Sequence, residues 1–349
     1  MKILFFSTYN KSYLSDFFIA ICSELAYLGH DVKIISLKNN NSVFVLDSKV
    51  NIHIIKKQKR YQNYISLFKL IKNEKPDVVV SNFSYVNPVV LASKLLGVKH
   101  NIIWFHTLKS QMNFKPSSIY IKSKFMNMSS VIITNSNELR REVIKEYRQK
   151  SEKVYNLPFT TTVSFVKKKK INLDKIKGKT YIGCPGRLHP DKNQNLIIDA
   201  LFQLRDDNFI LVLAGSKHSD FLLNHKNYHN CKNQILHLGK LSNEEMVDFY
   251  SKMDLIVLPS LNEAFGLVLI EALASGCNTL VSSRFGALDY IKEDVSSITF
   301  NPKDLNELKT KIKEALLKKK SSQYFKDLYK DNFSMDEVVK QFLSLIENN

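Results

Sequence analysis

Two carboxylates, Glu263 and Glu271, stand eight residues apart in the stretch Ser260-Leu-Asn-Glu263-Ala-Phe265-Gly266-Leu-Val-Leu-Ile-Glu271-Ala-Leu-Ala-Ser-Gly276. The apolar run Leu255–Pro259 before them reads as a buried strand, and Gly276 is a natural stop for the helix that follows. At roughly 1.5 Å of rise per helical residue, eight residues span at most about 12 Å. Acidic groups at that separation would hydrogen-bond polyhydroxyl groups at opposite ends of one elongated ligand. Between them, the amides of Phe265, Gly266 and Leu267 are expected in a first helical turn, where N–H groups lack an intrahelical acceptor and suit an anion. Sugar, diphosphate and ribose in a row match this layout. The plainer reading of Glu263 is a carboxylate complementing the dipole of the next helix. Glu271 lies among apolar neighbours, Leu269, Ile270, Ala272 and Leu273, so it needs a partner near buried surface.

A cationic set precedes these acids in Gly183-Cys-Pro-Gly186-Arg187-Leu-His-Pro-Asp-Lys192-Asn. Gly186 lets the chain turn after a strand. Arg187 and Lys192 flank the start of a helix at Asn193, and a guanidinium plus an ammonium there makes a phosphate site. Composition alone allows the alternative of ordinary surface charge.

The elements that must position these groups alternate between strand and helix. Apolar strands are expected at Lys2–Ser7, Asp31–Leu37, Val43–Leu46, Ile52–Ile55, Asp77–Ser81, His100–Phe105 and Val131–Thr134, with helices at Ser15–Leu28, Tyr61–Lys72, Asn87–Gly97, Ser117–Asn127 and Ser136–Gln149. In the Tyr61 helix, Tyr61, Tyr64, Ile65, Phe68 and Ile71 recur at helical spacing. Residues 157–179 break the rhythm with Leu157-Pro158, a Thr-rich piece and Lys167–Lys170, which reads as a solvated linker. Alternation resumes with strands at Thr180–Gly183, Asn208–Ala214, Gln234–Leu238, Leu255–Leu258, Thr279–Ser282 and Ser297–Phe300. Helices are expected at Asn193–Leu204 and Asn243–Ser251 and near Ala287–Ile291, and the tail from Pro302 reads as two or three more. This is an α/β chain of two doubly wound parallel sheets, divided as residues 1–165 and 166–349, with the C-terminal helices free to pack back on the first domain. A ligand is expected between the domains, near the carboxyl ends of the strands.

With 349 residues, two domains are the natural division. The net charge of +18 is uneven: residues 1–165 hold 24 Lys and Arg against 10 Asp and Glu. Such a field favours an anionic partner. Lys56, Lys57, Lys59 and Arg60 precede a helix with Lys69 and Lys72, while Lys109, Lys115, Lys122 and Lys124 follow His106. They read either as a solvated face or as an interface for anionic lipid or a lipid diphosphate acceptor. No aromatic-rich recognition motif accompanies the charge, so no nucleic-acid partner is expected. The four scattered cysteines read as free thiols. Neither a signal peptide nor a membrane span is expected, which points to a cytoplasmic protein, peripheral on the inner membrane face at most.

Gly186-Arg187-x4-Lys192 followed by Pro259-Ser260-x2-Glu263-x-Phe265-Gly266-x4-Glu271-Ala272-x3-Gly276 resembles the donor half of the retaining family 4 glycosyltransferases. The resemblance runs in order from about residue 180 to 291. It is looser in the first half, through Pro76-Asp77-Val-Val-Val, Phe105-His106-Thr107 and Thr134-Asn135-Ser136. It implies the GT-B fold, two Rossmann-like domains facing across a cleft, an acceptor-binding one before a donor-binding one. It also implies transfer of a hexose or N-acetylhexosamine from a nucleoside diphosphate sugar, UDP-sugars favoured, to a hydroxyl of a surface glycan or lipid-linked glycan in polysaccharide biosynthesis. Two alternatives stand beside it: a nucleotide-sugar epimerase of the same fold, and a non-catalytic nucleotide-sugar-binding protein.

By the same resemblance, Arg187 and Lys192 would hold the donor diphosphate and Glu263 the sugar hydroxyls. The amides of Phe265, Gly266 and Leu267 would bind sugar or phosphate oxygens, Leu267 and Val268 would pack against phosphate and ribose, and Glu271 would accept from the ribose. The Gly215 and Gly239 loops would border the base. His106 would approach the sugar near the reacting carbon; its alternative is a structural histidine. His189 and His218 read as exposed loop residues. No cofactor is expected and no metal, since no Asp-x-Asp pair or metal-ligand spacing occurs and Arg187 and Lys192 supply the positive charge. One departure stands out: the loop after the first strand, Ser7-Thr8-Tyr9-Asn10-Lys11-Ser12, lacks the family's glycines, and Tyr9, Asn10 or Lys11 would line the acceptor side instead.

Overall fold

The computed structural model describes residues 1–10, 13–39, 41–46, 50–109, 116–161, 167–216 and 220–348. Lys11, Ser12, Lys115, His218 and the boundary expected at residue 165 lie outside them. The chain forms two compact units, one of Met1–Phe159 with Met335–Asn349, the other of Thr160–Ser334. The division falls after Phe159, because the chain beyond it is tied to the second unit: Thr160 Oγ1 meets Tyr329 Oη at 2.8 Å, and Tyr329 donates to the Thr161 carbonyl at 2.9 Å.

In the first unit the elements run β1 (Lys2–Phe6), α1 (Tyr13–Tyr27), β2 (Asp31–Lys38), β3 (Ser42–Val45), β4 (Asn51–Lys56), α2 (Arg60–Glu74), β5 (Val78–Ser81), α3 (Val86–Leu95), β6 (His100–Trp104), α4 (Pro116–Met126), β7 (Val131–Thr134), α5 (Asn137–Lys145) and β8 (Val154–Asn156). Their sheet has the order β3-β4-β2-β1-β5-β6-β7-β8. All its pairs are parallel except β3 with β4, and the central strands β5 and β6 are buried along their whole length, covered on both faces. In the second unit follow β9 (Thr180–Pro185), α6 (Gln194–Leu204), β10 (Phe209–Ala214), α7 (Asp220–Leu223), β11 (Ile235–Gly239), α8 (Asn243–Lys252), β12 (Leu255–Leu258), α9 (Leu267–Ala274), β13 (Thr279–Ser282), β14 (Thr299–Phe300), α10 (Leu305–Leu317) and α11 (Ser322–Phe333). Its sheet, β11-β10-β9-β12-β13-β14, is parallel throughout. The last helix, α12 (Met335–Glu347), belongs to the first unit.

Several expectations shift. The helix expected from Asn87 begins one residue earlier, at Val86, led in by a short 3-10 turn over Phe83–Tyr85. The helix expected over Ser136–Gln149 stops at Lys145, with Ser136 accepting the Leu139 amide as its cap. The edge strand β8 was not expected, three residues being too few to show a pattern. The segment near Ala287–Ile291 is a 3-10 turn, Gly286–Tyr290. In α2 the buried seam is Leu67 and Ile71, while Tyr61 and Ile65 are exposed.

The first sheet carries a core on each face. One is built from Leu4, Phe6, Ile35 and Val79 against Leu67, Ile71 and Val89 of α2 and α3. The other is aromatic: Trp104 meets Phe17 and Phe18 of α1 edge-on and stacks on Phe342 of α12 at 5.9 Å, and Phe342 also contacts Phe5. In the second unit Ile182, Leu211, Val257 and Leu280 of the strands close on Ile197, Ile198 and Leu201 of α6 and Leu308 and Ile312 of α10. Phe342 is wholly buried. Phe342→Ala should therefore lower stability by about 3–5 kcal/mol in chemical denaturation; a loss under about 1 kcal/mol would show that α12 is not part of this core.

Candidate active site

The second sheet changes direction between β9 and β12. Strands β10 and β11 extend it on one side and β13 and β14 on the other, so the loops after β9 and β12 diverge where doubly wound sheets bind ligands. Here the loop Gly186–Asn193 and the loop Pro259–Gly266 are fastened together. Asn193, in the left-handed region at φ 56°, donates its side-chain amide to the carbonyls of Pro259 at 3.2 Å and Pro302 at 2.9 Å. The Leu261 amide donates to the Asp191 carbonyl at 2.8 Å. Buried Gln194 donates to the Arg187 carbonyl at 2.9 Å. Across this seam Lys192 pairs with Glu263, both side chains mostly buried. Arg187 is exposed beside them.

Glycines permit the close approach of the neighbouring loops. Gly186, at φ 134°, donates to the Ala214 carbonyl, and Gly215 donates to the Gly239 carbonyl, both at 2.8 Å. A Cβ on Gly215 would sit 1.9 Å from the Gly186 carbonyl oxygen. Gly215 and Gly239 thus lie at the ends of β10 and β11, next to the Gly186 turn.

The helix starts at Leu267, later than the first turn expected around Phe265 and Gly266. Residues 263–265 run beside 284–287: the Glu263 amide donates to the Arg284 carbonyl, the Gly286 amide to the Glu263 carbonyl and the Ala287 amide to the Phe265 carbonyl, at 2.9–3.1 Å. Phe265 therefore precedes the helix. Gly266 turns the chain at φ 97° under the ring of Phe285, where a Cβ would come within 2.2 Å of a ring carbon. Only then does α9 begin, with Leu267 and Val268 half-buried in its first turn and the Leu269 amide donating to the Gly266 carbonyl at 2.9 Å. The Leu267 and Val268 amides occupy first-turn positions that no preceding helical carbonyl can serve.

Glu271, one turn further, is 1% exposed. Its carboxylate accepts from the Tyr250 hydroxyl of α8 at 2.9 Å. Burial pushes its pKa up to about 8, opposed by the Tyr250 bond. Tyr250 and Asn193 escaped the sequence reading. Asn193 adjoins Lys192 in the motif, but its left-handed conformation has no local signal; Tyr250 lies 21 residues before Glu271, on another helix.

His106 follows β6 in the first unit. It packs edge-on to Phe83 at 4.2 Å, with Phe18 and Phe159 farther off. Burial drives its pKa down to about 4; the Trp104 backbone opposes this shift and the Lys122 charge adds to it. Neither ring nitrogen makes a hydrogen bond of full geometry. His106 lines a pocket of about 740 Å³ in this unit together with Thr107, Phe83 and Lys122. Tyr9 and Asn10 are not among its lining residues: their amides are bound by the hydroxyls of Ser36 and Ser15, and Lys38 lies over the Tyr9 ring. His189 is exposed and accepts from the Asp191 amide. The four cysteines are free and buried.

A cationic loop and a carboxylate loop locked together where a parallel sheet changes direction place the chain among doubly wound α/β proteins. Two family models name it further. Residues 165–330 match the group 1 glycosyl transferases and residues 17–158 match Glycosyltransferase Family 4. The chain belongs to the family 4 glycosyltransferases. It is 28% identical over 233 residues to an uncharacterized glycosyltransferase of Methanocaldococcus jannaschii, covering 62% of this chain and 60% of that one. It is 25% identical over 275 residues to the UDP-Gal:alpha-D-GlcNAc-diphosphoundecaprenol alpha-1,3-galactosyltransferase of Escherichia coli, covering 73% and 70%. The matched stretch is thus three fifths of the length of the first of these relatives. Among solved structures, a glycosyltransferase from Rickettsia africae gives a TM-score of 0.78 at 19% identity, covering 99% of this chain and 98% of that one. Anabaena HepE in complex with UDP and glucose gives 0.80 at 16% identity over the full length of both. The fold is GT-B.

The buried Glu271 sets a pH test. The folded state keeps a proton that the unfolded chain releases near pH 4.5, so stability should fall as pH rises from about 4.5 to about 8 and level off above. Glu271→Gln lacks that penalty. Its stability relative to the wild type, read from denaturation at each pH, should climb between pH 5 and 8 by about 3–4 kcal/mol. A pH-independent difference would place the carboxylate in contact with solvent.

Proposed function

We propose that the chain transfers a hexose or N-acetylhexosamine from a UDP-sugar, with retention of anomeric configuration, to a hydroxyl of a surface-glycan or lipid-linked acceptor. The observation that carries this reading is the Lys192–Glu263 seam, with exposed Arg187 on one side and the α9 amino end on the other. It offers cations and first-turn amides to a diphosphate and a carboxylate to sugar hydroxyls. The E. coli relative's name, with its UDP-sugar donor and diphospholipid acceptor, and the UDP complexes of HepE support the choice of nucleotide and of acceptor.

In this mechanism the bond from the anomeric carbon to the diphosphate breaks, and UDP leaves with the electron pair. Arg187 and Lys192 offset the charge growing on it. The acceptor oxygen bonds to the same face of the sugar, and its proton passes to the departing phosphate. Glu263 orients the sugar through its hydroxyls, and Glu271 accepts from the ribose. In the first unit His106 is a neutral imidazole at the pocket where the acceptor would sit. An anionic inner-membrane surface is the proposed setting, met by exposed Tyr61 and Ile65 of α2 and Tyr120 and Ile121 of α4 among lysines. Among the described residues no helix is long and apolar enough to cross a membrane.

A thermal-shift screen of UDP-, GDP-, ADP- and dTDP-sugars tests the donor, because a ligand bound only to the folded state raises its melting temperature. UDP-sugars should give the largest shift, and UDP should be released with a sugar acceptor present. His106→Ala should cut that turnover by about 100-fold while UDP affinity stays within about threefold. Stabilisation with no UDP release would support the non-catalytic reading, and an epimerised donor the epimerase.

A further inference from the structure

A second group of cations lies in the first unit. The pocket of about 740 Å³ beside His106 is bordered by Lys57, Arg60 and Lys122, and none of the described residues lining it is acidic. It sits at the carboxyl edge of the parallel sheet, so the three helices that follow β4, β5 and β6 all begin there. Arg60 opens α2, Asn87 lies in the first turn of α3 and Ser118 in that of α4, and all three line the pocket. None of these first turns carries an acidic residue.

The start of a helix already holds about half a positive charge. Placing Lys57, Lys59 and Arg60 at the start of α2 has the wrong sign for helix stability. Local rules broken together around one cavity mark a functional site. Two side chains add to this. His106, whose buried ring nitrogens make no hydrogen bond of full geometry, lines the same cavity. Lys122 is drawn inward over the Phe105 ring at 4.5 Å and lines the same cavity. The cations and helix ends approach from three elements, which suits an oxyanion with several acceptor oxygens better than a planar carboxylate.

Resting on the reading of the chain as a glycosyltransferase, we infer that this pocket binds a phosphate or diphosphate carried by the acceptor, through Lys57, Arg60, Lys122 and the amide ends of α2, α3 and α4. The chain would then read phosphate twice, once on the donor in the second unit and once on the acceptor in the first.

Calorimetry on the full chain tests this with N-acetylglucosamine 1-phosphate, with farnesyl diphosphate in detergent micelles, with the neutral N-acetylglucosamine and farnesol, and with UDP as the donor-side control. At least one phosphate probe should bind about tenfold or more tightly than its neutral counterpart. The exposed pair Lys57→Glu with Arg60→Glu should weaken that binding by about tenfold and leave UDP within about twofold. The control pair Lys69→Glu with Lys72→Glu, on the same helix, should leave both unchanged. Tight binding of both phosphate probes assigns recognition to the phosphate itself, and of the micellar probe alone to a lipid diphosphate; either supports the inference. Equal affinity for neutral probes, or equal weakening by both charge-reversal pairs, overturns it. If UDP binds and the phosphates do not, the pocket inference fails alone. If the phosphates bind through Lys57 and Arg60 but UDP does not bind, the donor reading fails and the anion pocket stands.

Discussion

The contact on which the second unit depends is the ion pair between Lys192 and Glu263. It joins the loop after β9 to the loop after β12, and those strands are neighbours where the sheet changes direction. Two mostly buried opposite charges are held in place only if the backbone around them is fixed. Asn193, Gln194 and the Leu261 amide supply that fixing from one side, and the 284–287 segment from the other. Gly186, Gly215 and Gly266 follow from the same constraint. At Gly215 and Gly266 a side chain would strike the neighbouring loop, and at Gly186 the backbone takes a conformation that side chains disfavour.

The unit keeps its acids chemically apart. Glu263 faces a cation, whereas Glu271 of α9 is buried against Tyr250 and held largely protonated near neutral pH. A neutral carboxyl both donates and accepts, which suits a pair of vicinal hydroxyls. His106 is neutral in the first unit for the same reason, burial. Burial thus leaves Glu271 and His106 uncharged by opposite shifts, one pKa raised and the other lowered.

Much of this was legible in the sequence. The strand runs Val78–Ser81, Val131–Thr134 and Leu255–Leu258 are mostly apolar and fully buried because both faces of a parallel sheet are covered, and they fall where expected. The loop motifs were visible because their glycines and charges lie close together along the chain. What could not be read depends on contacts distant in sequence or on backbone conformation: Tyr250 beside Glu271, Phe285 over Gly266, and the left-handed Asn193. The apolar spacing of α2 suggested Tyr61 and Ile65 as part of a buried seam, yet they face solvent, because α3 and the sheet cover only the Leu67–Ile71 side. The first-unit pocket could not be foreseen as a cavity, since its cations come from residues 57–60 and from Lys122, far apart in the chain.

The central claim is that Arg187 and Lys192 serve the terminal phosphate of a nucleoside diphosphate. Titrating UDP and UMP in parallel isolates that phosphate, because everything else in the two ligands is shared. The second phosphate should add about tenfold to the affinity of the wild type, as expected for charge-assisted contacts. That increment should fall below about threefold in both Arg187→Ala and Lys192→Met. A UDP-to-UMP ratio unchanged in both variants would contradict the placement of the diphosphate at this seam.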